Sequence, residues 1–224
     1  MSTRRFEYRT APNKRTSLDR IHAMPNTAYQ NPTSADQHDF LLRLYFGRGG
    51  DPLSKCIRRA YLDFSRTLHD VGSSSKAFSV ATAQLGTAIT SLRESAPEMS
   101  QEAFDEWHKQ TCDALASAYR GEGYEKFYVG QGQKWINMAL KYVFVFGEAS
   151  LPGHSRTYTY CHVPIDNVIL KDPEFKELQE FKGAWSRINN YREYMAFQFA
   201  VRKRFKGSSP LAVEFVRWQA QNAA

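Results

Sequence analysis

The sequence predicts an all-α fold built as two helical lobes around a cleft, on three observations. Apolar residues recur at three- and four-residue spacing through most of the chain, the period of helices packed by one face. No long stretch alternates with period two, and the best strand candidate, Tyr158-Thr159-Tyr160-Cys161-His162-Val163, is short. The 224 residues, 42% hydrophobic and 14% aromatic, can bury a sizeable core in one large domain or in two small lobes sharing a cleft.

Residues 1–35 read as an irregular basic arm. Arg4, Arg5, Arg9, Lys14, Arg15 and Arg20 stand there among Pro12, Pro25 and Pro32, a pattern that fits a solvated tail or one that touches phosphates. The helical domain is placed at 36–224. Phe40, Leu41, Leu44 and Tyr45 give its first stripe, and Gly47-Arg48-Gly49-Gly50-Asp51 a loop. Pro52 suits the first turn of a helix running to about Asp70, with Ile57, Ala60, Tyr61 and Phe64 inward. A helix over about 76–94 follows Gly72-Ser73-Ser74-Ser75. Another opens at Ser100 as N-cap and carries Phe104, Trp107, Cys112, Leu115 and Tyr119 at helical spacing. Further helices are expected over about 173–183, about 186–205 and from Pro210 to about Gln221.

The net charge of +7 and a pI near 9.3 favour a polyanionic partner, nucleic acid before membrane. No run approaches the roughly 18 apolar residues that span a bilayer. The first residues lack an apolar secretory core, so a cytoplasmic, nucleoid-associated protein is expected. Three widely spaced cysteines without a CxxC fit reduced thiols, and no metal motif is present, so no metal or cofactor is expected.

The chemistry-bearing stretch is Val129-Gly130-Gln131-Gly132-Gln133-Lys134. It reads as a tight two-glycine turn entering a helix whose free amides could hold a phosphate, with Gln131 and Gln133 beside them. Ile136, Ala139, Leu140 and Val143 form the buried stripe of that helix. Lys134 falls in its first turn, where the dipole opposes an added positive charge and so favours the free, nucleophilic amine. The ordinary alternative is a lysine that binds a phosphate or faces water. Asp166, in Val163-Pro164-Ile165-Asp166, is a good N-cap or turn residue. It is also a carboxylate able to help deprotonate an amine and stabilise an oxocarbenium-like sugar.

A GxGxK segment opening a helix, followed by V-P-I-D, resembles the helix-hairpin-helix DNA glycosylases over about 123–170. The 32-residue separation of Lys134 from Asp166 is most similar to the archaeal-type 8-oxoguanine branch. Two departures stand out: Gly121-Glu122-Gly123 interrupts the first hairpin helix, and Tyr128-Val129 replaces the usual apolar residue and proline. The resemblance implies a helix-hairpin-helix motif, with Lys134 as the Schiff-base nucleophile and Asp166 as the essential aspartate. It implies a monomer that excises a damaged or modified base from duplex DNA and cuts the abasic strand as a lyase, in base-excision repair or, for a phage-modified base, in defence.

Such an enzyme flips its target nucleotide and holds the base against apolar faces. Trp218 on the C-terminal helix is the first candidate, followed by Trp185, Met138 and His162; Phe181, Tyr191 and Trp135 are further aromatics that fit a core equally well. The cluster Arg202-Lys203-Arg204 suits either a solvated helix end or the DNA backbone. Two competing functions are a non-catalytic helix-hairpin-helix DNA-binding module and an all-α ribonuclease or toxin-like protein. The latter needs an Arg/His pair on one helix, of which Arg187, Asn189 and Asn190 offer only an incomplete version.

Overall fold

The computed structural model describes residues 31–69, 71 and 75–221; most of the basic arm lies outside them. Among the described residues every regular element is helical and no strand occurs. The chain divides into two compact units, Met1–Leu41 and Leu42–Ala224.

In the first unit the described residues open α1 (Ser34–Phe46). Thr33 and Asp36 cap it reciprocally: the Thr33 amide and hydroxyl both donate to Asp36 Oδ2, and the Asp36 amide donates to Thr33 Oγ1. The expected stripe is not a buried face. Phe40, Leu41, Leu44 and Tyr45 are all exposed, and the buried residue of the helix is Leu42.

The second unit is organised around one helix. α2 (Pro52–Phe64), α3 (Lys76–Ser95) and α4 (Gln101–Gly121) precede α5 (Val129–Phe146), and α6 (Pro173–Lys176), α7 (Tyr191–Arg204) and α8 (Pro210–Gln221) follow. Each start has a local cause. Asp51 accepts from the Ser54 amide and Pro52 fills the first position of α2; Ser75 and Ser100 cap α3 and α4 in the same way. α5 is buried on nearly every side, with α2 and α4 packed along it and α3 packed on α4. Trp135 lies at the centre of α5, fully buried, stacked on Phe78 and donating Nε1–H to the Ile57 carbonyl at 2.9 Å. It is core, not pocket.

Two expectations change shape. The 173–183 helix is only the single turn Pro173–Lys176, and 186–205 begins as α7 at Tyr191 after a short 3₁₀ turn, Trp185–Arg187. The strand candidate is a 3₁₀ helix over Ser155–Tyr160, and the residues after it run extended without a strand partner.

Candidate active site

α5 begins earlier than the sequence suggests. Tyr128 is its N-cap, so Gly130 and Gly132 lie within the helix and neither has positive φ. Lys134 therefore stands in the second turn, not at the point of entry. Gly130 serves close packing. A Cβ at Gly130 would overlap the Trp185 carbonyl oxygen, whereas one at Gly132 would meet Cys112 and Phe127 at ordinary contact distance. The first free amide is already taken, since Gly130 N–H donates to the Ile188 carbonyl at 2.9 Å. Gln131 bonds back to the Tyr128 amide and across to Thr67. Gly130, Gln131, Gly132 and Gln133 are all buried. The expected phosphate-binding turn is thus a buried helix start, sealed by residues 185–188.

Lys134 and Asp166 do meet. Lys134 Nζ donates to Asp166 Oδ2 at 2.5 Å, with side-chain exposures of 4% and 22%. The other oxygen, Oδ1, accepts the amides of Val168 and Ile169, both at 2.8 Å. Asp166 thus holds the turn with one carboxylate oxygen, as the sequence suggests, and pairs with Lys134 through the other.

The segment that delivers Asp166 is held by side-chain amides. Gln198 pairs with both backbone groups of Val163, at 3.0 and 2.9 Å, and Gln133 with both of Ile165, at 3.1 and 2.9 Å. Each glutamine satisfies backbone groups that a neighbouring strand would otherwise take.

The pair opens onto a pocket of about 630 Å³. α5 supplies Lys134, Met138 and Lys141 on one face, α2 supplies Leu62 and Asp63, and α8 supplies Glu214, Phe215 and Trp218. Trp218 and Met138 thus line the same pocket as Lys134 and Asp166. Trp185 and His162 do not line this pocket: Trp185 is buried against Gly130, and His162 is fully buried.

A second buried pair was missed. Lys141 Nζ reaches both oxygens of Glu214, at 2.8 and 2.7 Å, with side-chain exposures of 9% and 4%. The Lys141 ammonium also lies 5.2 Å from the Trp218 ring and 5.4 Å from Phe215. Burial pushes the Glu214 carboxyl up; Lys141 and Lys134 pull it down and Asp166 pushes it up, so the two pairs sense each other. The available signal was spacing, because Met138 and Lys141 stand four and seven residues after Lys134, on the same helical face.

His162 belongs to a buried network behind the site. Its Nε2 lies 2.8 Å from Asp105 Oδ1 and its Nδ1 2.7 Å from the Tyr194 hydroxyl. Burial pushes His162 down to about 4, and His108, also fully buried, well below its ordinary value. Burial alone would raise the Asp105 carboxyl, but the hydrogen bonds from His162 and Arg202 hold it well below the usual carboxylate range. Arg202 is committed to Asp105 through both guanidinium Nη atoms, at 2.8 and 2.6 Å, so it is not a free phosphate ligand. Lys203 and Arg204 are exposed, Arg204 against Glu174. Tyr191 joins the same network through His108, and Phe181 packs on Phe197.

No family model, curated protein or solved structure matches this chain. The site is therefore read from its own chemistry. Among the described residues no helix is long and apolar enough to cross a membrane. The three cysteines are free and buried.

Proposed function

We propose that the chain is a DNA glycosylase with lyase activity, acting on duplex DNA through Lys134 and Asp166. The observation that carries this reading is the Lys134–Asp166 pair at 2.5 Å, set across 32 residues of chain on the wall of a pocket. A lysine that only binds phosphate gains nothing from near-complete burial against a carboxylate, whereas a nucleophilic amine needs a base within hydrogen-bond reach. This weighs against the non-catalytic module. The ribonuclease reading needs an Arg/His pair on one helix, whereas Arg187 lies in a 3₁₀ turn and Asn190 caps α7.

In the proposed reaction the flipped base lies against Met138, Phe215 and Trp218, with the Lys141–Glu214 pair at the far end of the pocket. Asp166 takes a proton from the Lys134 ammonium. The freed amine attacks C1′ as the bond to the base breaks, and the base leaves with the bonding electrons and acquires a proton. The ring oxygen then leaves C1′ to give the imine. Loss of a C2′ proton expels the 3′ phosphate, and water releases the enzyme. No metal or cofactor enters this sequence. On this reading α4, the connection over 122–128 and α5 are the helix-hairpin-helix, and the pocket is the cleft between two lobes. The protein acts as a monomer in the nucleoid, in base-excision repair or in defence against modified phage DNA.

The test is covalent trapping. The protein is mixed with duplexes that carry oxidised, deaminated or bulky modified bases, or an abasic site, and borohydride is added. An adduct is expected with the wild type and is lost in Lys134→Gln. Asp166→Asn keeps DNA affinity and loses trapping by two or more orders of magnitude, roughly the scale of a positioned general base. No adduct on any duplex, or full activity in Asp166→Asn, sinks the proposal.

A further inference from the structure

We infer that Gln133 is a positioning residue whose side-chain amide sets the register in which Asp166 meets Lys134. The two contacts are neighbours in sequence on both sides: Gln133 bonds Ile165 and Lys134 bonds Asp166, each across 32 residues. All four hydrogen-bonding positions of the Gln133 amide are used. Oε1 accepts from the Ile165 amide and from Asn137 Nδ2, and Nε2 donates to the carbonyls of Ile165 and Gly130. A flip would set donor against donor, so the amide has one orientation.

That orientation is itself braced. Asn137 Nδ2 also donates to the Tyr194 hydroxyl, and Asn137 Oδ1 lies 3.2 Å from His108 Nε2. The buried network thus ends on the backbone beside the reacting carboxylate. Gln198 makes the same paired bonds to Val163 but does so three residues before Asp166. It supplies an internal control of equal type and different place.

The kinetic consequence rests on the proposed reaction; the placement itself does not. Displacing Asp166 by about 1 Å is worth roughly 10²-fold in rate. Placement is read without DNA, by a short pulse of formaldehyde and borohydride followed by peptide mass spectrometry. An accessible amine condenses with formaldehyde, losing water, and hydride reduces the imine to a methylamine. Lys134, tied to Asp166 and 4% exposed, labels slowly in the wild type. In Gln133→Met its labelling rises at least about tenfold, as expected for a local opening, while Gln198→Met leaves it near the wild-type rate. Gln133→Glu, which keeps the shape and removes both donors, gives the same rise if Gln133→Met fails to fold. Trapping on an abasic duplex falls about 10²-fold in the Gln133 variants at unchanged DNA affinity.

The inference is overturned if Lys134 labels at the wild-type rate in a folded Gln133 variant, or if Gln198→Met raises labelling equally. Failure of both Gln133 variants to fold while Gln198→Met folds would also overturn it, by assigning Gln133 to the core alone. A wild-type protein that traps no duplex would end the proposed reaction, yet the labelling rates would still decide what Gln133 holds.

Discussion

Removing Glu214 while leaving Lys141 strands an ammonium in the wall of the pocket. Lys141 has a side-chain exposure of 9%, and both of its short contacts go to that one carboxylate. The remaining neighbours are the ring faces of Phe215 and Trp218, beyond 5 Å. Breaking one half of a buried pair costs about 3–5 kcal/mol. In a chain of this size 1 kcal/mol shifts the melting temperature by about 2–4 °C, so Glu214→Leu lowers it by roughly 6–20 °C. Lys141→Met in the same background removes the stranded charge, and stability returns to near the wild type or up to ~4 kcal/mol above it. The assay is a double-mutant cycle on urea and thermal unfolding, repeated at low and high salt, because an enclosed pair is screened far less than a surface one. A cost for Glu214→Leu below about 1 kcal/mol, or a double variant no more stable than the worse single one, would refute the claim that this pair is desolvated.

Two further outcomes are expected. Gly130→Ala forces a methyl into the backbone of Trp185 and should destabilise strongly, by about 2–4 kcal/mol on the scale of an overpacked or strained site; a melting point within 2 °C of the wild type would contradict the close approach. Acidification should unfold the protein through its buried histidines. Their folded values lie below the unfolded value near 6.5, so the stability they confer is complete above that pH and is lost as pH falls towards about 4, the folded value of His162. Each neutral histidine contributes a slope of about 1.4 kcal/mol per pH unit in that window. A stability profile flat between pH 6.5 and 4, followed by equilibrium urea unfolding, would sink this reading.

That Lys134 and Asp166 meet was suggested by the order of the two segments and their resemblance to a known motif, since each residue alone has an ordinary structural reading. The helices were legible wherever a cap and a stripe coincide, as at Asp51-Pro52, Ser75 and Ser100. What misled was the glycine pair. Two glycines before a helix look alike whether they turn the chain or allow another backbone to touch it, and only the arrival of Trp185 decides the matter. The Tyr158–Val163 stretch misled as well. Its alternation suggests an extended backbone, but Ser155–Tyr160 closes into a 3₁₀ helix, and of Val163 and Ile165 only Val163 lies within the stretch. Lys141 and Glu214, 73 residues apart, carried no motif at all; folding alone joins them.

The glutamine-held segment has a consequence for how the chain behaves before it is fully folded. Cys161-His162-Val163-Pro164-Ile165 is a short, uncharged, β-prone run of the kind that recruits other chains when its edge is open. Here the amides and carbonyls of Val163 and Ile165 are consumed by side chains of α5 and α7, and Pro164 has no amide to offer. Self-association is thus blocked by two side chains, one of which, Gln133, also sets Asp166. A variant that loses either glutamine would expose part of this ribbon to its neighbours, and only the loss of Gln133 would also slacken the chemistry.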